Sequence, residues 1–381
     1  MKRLKKIILL GATGSIGKTT LELLRLHKNE FKLIGVSANT NVKKLKKIVD
    51  EFKVKHIAIS NLIASKKIDF DKKLLVGEEG LNELASIKCD ILVSGISGAA
   101  GLLPAITALR SGNDIAIANK EPLVIAGDFF IKETKINNTK ILPVDSEHNS
   151  IFQCFDERQK DKINNITLTA SGGPFLNLHK KYFSKIKPSD AINHPVWSMG
   201  KKISVDSATL INKALEVIEA GYLFNLKPNQ IDVLIHPQSI IHGMVHYMDG
   251  STLANLSYPN MISPLSVALS YPERLNLGLK KLDLSKIGEL TFKKPDLDKF
   301  PGLKLGWEIL KQPKPYSIIM NAANEIAVEL FLKNVISFNE IVDLINYALQ
   351  RFEFDIPSNL EDIIDIDKRT RILIKENYRG V

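Results

Sequence analysis

Gly11-Ala12-Thr13-Gly14-Ser15-Ile16-Gly17 follows a short apolar run and leads into an amphipathic stretch whose spacing predicts a helix over Ile16–Leu26. A glycine turn between a strand and a helix lets backbone N–H groups approach a pyrophosphate, and the helix N-terminus adds partial positive charge. The spacing is GxxGxxG rather than GxGxxG, so the weight comes from its place at the first strand–helix junction. A second strand ends in Ser37-Ala38-Asn39-Thr40-Asn41, with Lys43 and Lys44 just beyond. An NAD site wants Asp or Glu there for the ribose hydroxyls, whereas small polar groups with nearby lysines suit a 2′-phosphate. NADP is therefore expected over NAD.

Three further clusters could bind or transform a ligand. Asn119-Lys120-Glu121 follows a strand expected over Asp114–Ala118, and loops at the carboxyl ends of parallel strands are where α/β sheets take ligands. Taken alone it is also an ordinary polar turn closed by Pro122. Asp145-Ser146-Glu147-His148 closes a strand expected over Ile141–Val144. Carboxylates at i and i+2 of an extended backbone project to one side and repel unless a cation or proton lies between them. That points to Mg²⁺ or Mn²⁺, with a solvated acidic turn as the alternative.

The third cluster is the densest: Ser171-Gly172-Gly173-Pro174-Phe175, then His194-Pro195-Val196-Trp197-Ser198-Met199-Gly200, then a helix expected over Asp206–Ala220. Asn212, Lys213 and Glu216 share one face of that helix, with Ser207 a turn below. Its many apolar neighbours leave little of the helix for water. A Trp and a Met in a glycine-bounded loop predict a lid over about residues 171–201, against the alternative of a permanent core anchor. His236 and His242 lie on or near a strand, where histidine is more commonly structural than catalytic.

The frame that positions these groups reads as α/β. Near-continuous apolar runs at Lys6–Leu10, Leu33–Ser37, His56–Ile59, Ile91–Ser94, Asp114–Ala118 and Ile141–Val144 alternate with helix-length segments, which implies a parallel sheet covered on both faces. Beyond residue 150 the pattern turns α+β, with strands expected over Asn165–Ala170, Asp232–Ile235 and Ser239–His246. The expected domains are residues 1–149, 150–271, a Lys- and Leu-rich connector at 272–298, and a small helical domain at 299–381. Period-3.6 patterns at Tyr316–Leu332 and Ser337–Gln350 mark that last domain.

Composition narrows the function classes. The 381 residues are 44% hydrophobic and 25% charged, ordinary values for a soluble globular protein. The apolar run Ile7–Leu10 is too short for a secretory core, no stretch is long enough to span a bilayer, and two cysteines build no disulfide framework. A cytoplasmic protein without a membrane partner is expected. The net charge is +10, yet only nine of the 52 basic residues are arginine and they form no aromatic-laced stripe. Nucleic acid is therefore not an expected partner, and an anionic small molecule is.

The strings GATGSIG, NKEPLV, VDSEHNSIFQ, ASGGPF, HPVWSMGKKISVDSATLINKALEVIEA, LIHPQSIIHGMVHYMDGS and NAANEIAVELFL run in order from residue 11 to about 332. Together they resemble the 1-deoxy-D-xylulose 5-phosphate reductoisomerase family, whose enzymes use NADPH and a divalent metal in isoprenoid precursor synthesis. The resemblance implies an N-terminal Rossmann-like domain, a central catalytic and dimerisation domain, a C-terminal helical domain and a homodimer. It implies that the turn Gly11–Gly17, above all Thr13, Gly14, Ser15 and Ile16, holds NADPH together with Asn39, Asn41, Asn119, Glu121 and Gly200. Asp145, Glu147 and Glu216 match metal ligands. Lys120, Ser146, Ser171, His194, Trp197, Ser207, Asn212, Lys213 and Glu216 match the set that binds the phosphorylated sugar. Lys120, Glu147, His194 and His242 are the catalytic candidates. Where relatives often carry a glycine and a lysine after the second strand, this chain has Asn39 and Thr40, which leaves the 2′-phosphate contact open between Asn41 and Lys43. A different NADP-linked dehydrogenase would have no reason to carry the three carboxylates, and a non-enzymatic NADP sensor would need neither those nor Lys213.

Overall fold

The structure, a computed structural model, describes residues 3–197, 199–312 and 315–377. The chain divides into two compact units: Met1–Pro122, Asp128–Asn149 and Asn260–Lys281 form the first, and Leu123–Gly127, Ser150–Pro259 and Leu282–Val381 the second.

The first unit is built on seven strands: β1 Lys5–Leu10, β2 Phe31–Ala38, β3 His56–Ile59, β4 Leu74–Val76, β5 Ile91–Ser94, β6 Asp114–Ile117 and β7 Ile141–Pro143. Their order is β4-β3-β2-β1-β5-β6-β7 and every pair is parallel. Ile7 to Leu10 have no exposed surface, as a strand covered on both faces requires. The chain winds outward from β1 to β4, then returns to place β5 on the other side of β1. That reversal is a topological switch point, where open α/β sheets take ligands beyond the carboxyl ends of their strands. Gly11 sits there with φ +72°, and a Cβ on it would lie 2.5 Å from the Gly95 carbonyl oxygen. Only glycine allows both the backbone conformation and the approach.

Two elements were not read from the sequence. The edge strand β4 has only three residues, too few to show a pattern. The helix Ile262–Ser270 belongs to the first unit and packs with its parallel sheet. Lys5 donates to the carbonyls of Leu269 (3.2 Å) and Tyr271 (3.0 Å) and ties its end down.

The second unit contains β8 Ile163–Ala170, β9 Ile231–Ile235, β10 Ile241–Tyr247 and β11 Thr252–Leu256 in the order β11-β10-β8-β9. β9 runs parallel to β8, whereas β10 is antiparallel to both β8 and β11. Helices Lys304–Lys311, Tyr316–Leu332, Glu340–Arg351 and Leu360–Asn377 belong to this same unit rather than standing apart.

The helix expected over Asp206–Ala220 is two helices, Lys201–Thr209 and Ile211–Leu223. They meet at Leu210, whose φ is +60°. Thr209 explains the break: its hydroxyl oxygen accepts the Ile211 N–H at 3.3 Å, offering the backbone a partner outside the helical ladder. Leu210 itself is buried, so the apolar pattern runs on across the break and hides it.

His236, singled out in the sequence, is structural. Its Nε2 accepts the Ile240 N–H (3.1 Å), so Nδ1 carries the proton and donates to the Thr291 carbonyl (2.9 Å). Its ring stacks on Phe292 with centroids 4.6 Å apart, pinning the connector to the end of β9.

Candidate active site

In the first unit, helix Ser15–Leu26 starts from Gly14 with no side chain capping its first amides and no acidic residue in its first turn. Those N–H groups are available to phosphate oxygens, which is the fit a pyrophosphate requires. The turn is braced against β2: Ser37 Oγ accepts the Gly11 N–H (3.0 Å), and the Ala12 N–H donates to the Ser37 carbonyl (2.8 Å). Asn39 is exposed, and its Oδ1 lies 3.4 Å from Ser60 Oγ. Asn41 caps the helix Val42–Phe52, accepting the Lys44 N–H at 3.1 Å.

The loop Gly95-Ile96-Ser97-Gly98 after β5 shares the switch point and was missed by sequence reasoning. Asn119 Nδ2 donates to the Gly98 carbonyl at 3.1 Å, joining this loop to the one after β6. Two glycines three residues apart behind a buried strand were the available signal.

Lys120 and Glu121, both buried, precede and open the helix Glu121–Asn137. Lys120 Nζ lies 2.6 Å from Asp145 Oδ2. Asp145 stands just before helix Ser146–Cys154, and Glu147 lies in that helix's first turn, where Ser146 Oγ donates to Glu147 Oε2 at 2.5 Å. The extended backbone expected for this pair is therefore corrected to a helix start. There the positive end of the helix dipole, together with the Lys120 ammonium, accommodates the two negative charges.

In the second unit, Ser171 and His194 form a linked pair. His194 Nδ1 accepts the N–H groups of Val196 (3.1 Å) and Trp197 (2.9 Å), so the neutral ring carries its proton on Nε2. That proton is donated to Ser171 Oγ at 2.9 Å, and Gly173 N–H donates to the same oxygen at 3.3 Å. With its oxygen accepting twice, the Ser171 hydroxyl is left to donate, which suits an anionic oxygen. Gly173, at φ +67°, approaches so closely that a Cβ there would be 2.8 Å from the Ser207 carbonyl oxygen. The structure thus brings the Ser171 turn against Ser207.

Asn212, Lys213 and Glu216 occupy the first turns of the next helix. Both Asn212 Nδ2 and Lys213 Nζ donate to the Glu216 carboxylate, and Lys213 and Glu216 are buried. Trp197 is half-buried, its ring centroid 6.2 Å from that of His242, whose Nε2 meets Ser257 Oγ at 3.1 Å. Gly200 opens helix Lys201–Thr209 beside open space. Ser198 lies outside the described residues. Sequence reasoning missed Asp206: it is buried, 2.8 Å from Lys202 Nζ, and accepts from Asn324 Nδ2 at 3.0 Å. No local signal could pair residues so far apart in the chain.

Asp145 and Glu147 in the first unit and Glu216 in the second are anionic oxygen donors, the ligand type a hard divalent cation takes, and Asp145 and Glu216 are each met by a lysine ammonium. Cys89, by contrast, has a thiol pushed up to about 12 by burial and is no nucleophile.

A parallel sheet with a bare helix N-terminus at its switch point, joined in one chain to a unit with a buried, hydrogen-bonded set of charged and polar side chains, defines a dinucleotide-dependent α/β enzyme. Family models described as 1-deoxy-D-xylulose 5-phosphate reductoisomerase match residues 7–127, its C-terminal domain residues 141–224, and a further DXP reductoisomerase C-terminal domain residues 256–373. The curated reductoisomerase of Clostridium perfringens strain 13 is 45% identical over 98% of this chain and 100% of its own length. The solved Zymomonas mobilis reductoisomerase, in complex with NADPH, superposes with a TM-score of 0.93 at 37% identity, covering 100% of both chains. A DOX-P reductoisomerase structure with NADPH, fosmidomycin and magnesium gives a TM-score of 0.93 at 41% identity over 98% of each chain. The chain belongs to the 1-deoxy-D-xylulose 5-phosphate reductoisomerase family.

Proposed function

We propose that this chain converts 1-deoxy-D-xylulose 5-phosphate to 2-C-methyl-D-erythritol 4-phosphate by rearrangement and NADPH-dependent reduction, a step toward isoprenoid precursors. The observation that carries the reading is the second unit's set of groups for a phosphorylated sugar: the donating hydroxyl of Ser171 beside Ser207, and the buried Lys213 and Asn212 around Glu216. The serines Ser146, Ser171 and Ser207, with Asn212 and Lys213, grip the phosphate. Asp145, Glu147 and Glu216 hold Mg²⁺ or Mn²⁺, while the glycine turn, Asn119, Glu121 and Gly200 hold NADPH. When bound, the metal supplies Lewis acidity toward the vicinal oxygens of the ketose and the cofactor supplies hydride. Lys120, held by Asp145, steadies developing negative charge on the substrate. His194 keeps Ser171 oriented as a donor, and His242 stands behind Trp197.

Absorbance of NADPH followed with deoxyxylulose phosphate, with and without EDTA, tests the whole reading. Metal-dependent oxidation supports it. Metal-independent turnover of another substrate, or binding without turnover, overturns it.

The segment of about 171–201 acts as a lid with Trp197 as its apolar tip. Trp197 is half-buried rather than packed in the core, which supports this role. Trp197→Ala is therefore expected to lower kcat/KM while leaving the melting temperature of the ligand-free protein nearly unchanged, because closure matters only in turnover. A core tryptophan would instead cost ~3–5 kcal/mol of stability. A melting curve beside the kinetics separates the two. A cytoplasmic homodimer completes the reading, supported by the resemblance alone. Light scattering of the purified protein checks the dimer.

A further inference from the structure

We infer that Lys44 selects NADPH over NADH in this chain, its ammonium taking the 2′-phosphate at a position where Thr40 offers no charge. The inference rests on the NADPH reading above.

The carboxyl end of β2 is where a dinucleotide fold meets the adenosine ribose, and the side chains there set the preference at the 2′ position. Asn39 and Thr40 are exposed at that end and uncharged. Asn41 has its side-chain oxygen committed to the Lys44 N–H as a helix cap. The cap fixes Lys44 in the first turn of helix Val42–Phe52, and from there its side chain turns back to the glycine turn. Lys44 Nζ donates to the Thr13 carbonyl at 2.8 Å.

The ammonium thus bridges the two pieces of chain that flank the ribose: the phosphate-binding turn after β1 and the segment after β2. An ammonium has three protons, and Thr13 takes one of them. No carboxylate pairs with Lys44 among the described residues, so its charge is not offset by an ion pair and two of its donors remain for a ligand. Lys43, one position earlier, is exposed and makes no hydrogen bond to the turn. The Thr13 carbonyl also holds the Lys44 side chain in place before any ligand arrives, reducing the ordering cost of a charge-assisted contact to phosphate.

Calorimetric titration of NADPH, NADH, adenosine 2′,5′-bisphosphate and AMP into the wild type, Lys44→Met and Lys43→Met separates the alternatives without any turnover. Methionine keeps the length of the stem and removes the charge. Loss of a charge-assisted phosphate contact is expected to weaken NADPH and the bisphosphate by roughly tenfold or more in Lys44→Met, with NADH and AMP unchanged. Lys43→Met is expected to behave as wild type. A selective loss in Lys43→Met instead, or an equal loss for NADPH and NADH in Lys44→Met, overturns the inference, the latter because it marks Lys44 as a brace for the turn. A wild type that binds neither dinucleotide, or both equally, overturns the NADPH reading itself.

Discussion

Glu216→Gln is expected to lower turnover by roughly three orders of magnitude, the scale seen when a group that stabilises transition-state charge is removed, while NADPH affinity stays unchanged. The exchange removes one negative charge and almost no volume. Glu216 has no exposed surface, and its carboxylate receives hydrogen bonds from Asn212 and Lys213. A hard cation needs anionic oxygen, and an amide oxygen supplies only a dipole. Folding must be separated from function here, because removing one partner of a buried ion pair costs about 3–5 kcal/mol. The double variant Glu216→Gln/Lys213→Met removes both charges and should regain part of the lost melting temperature without regaining turnover. Calorimetry with Mn²⁺ in the presence of substrate supplies the direct readout. If Glu216→Gln binds Mn²⁺ as tightly as the wild type, Glu216 is not a ligand.

Lys120→Met is the second large effect, with kcat expected to fall about 10²–10³-fold, comparable to loss of one preorganised donor. Lys120 is 5% exposed and its ammonium lies 2.6 Å from Asp145, so it is a fixed charge rather than a mobile surface lysine. A fixed charge stabilises developing negative charge without reorganising at the moment of reaction, and that benefit shows in kcat more than in KM. Combining Lys120→Met with Asp145→Asn should cost far less than the sum of the two, because the residues act as a unit. Strict additivity, or a loss confined to NADPH affinity, would assign Lys120 to the cofactor instead.

The parallel sheet was legible because its strands are short Ile-, Val- and Leu-rich runs, and residues buried on both faces leave no other reading for runs that short. The position of the loops that carry Gly11, Asn119 and Asp145 was legible as well, since each stands at the carboxyl end of such a run. What stayed hidden has three physical sources. Leu210 is apolar in either backbone conformation, so periodicity could not show the break that the Thr209 hydroxyl supports. Asp145 and Glu147 drew attention by charge alone, and charge does not tell a strand end from a helix start. Helix Ile262–Ser270 returns to the first unit after more than a hundred intervening residues, and composition at 260–281 carries no mark of that return. The roles of Asn41 and Lys44 depended on which direction each side chain takes from one helix start, a matter of geometry that residue type leaves open.

The Asn324–Asp206 hydrogen bond has a dynamic consequence. It fastens helix Lys201–Thr209 to helix Tyr316–Leu332 across 118 positions of sequence. In native-state amide exchange, buried residues of helix Lys201–Thr209 such as Ala208 should therefore open only with the larger cooperative block that includes Tyr316–Leu332. The amides of Val196 and Trp197 are held by one imidazole nitrogen and should open locally, at much lower free energy. Neighbours in sequence would then differ in protection by orders of magnitude, and the boundary would fall at Gly200. A substitution at Asn324 would erase that boundary, loosening a segment more than a hundred residues away while leaving Ser171, Ser207, Asn212 and Lys213 chemically intact.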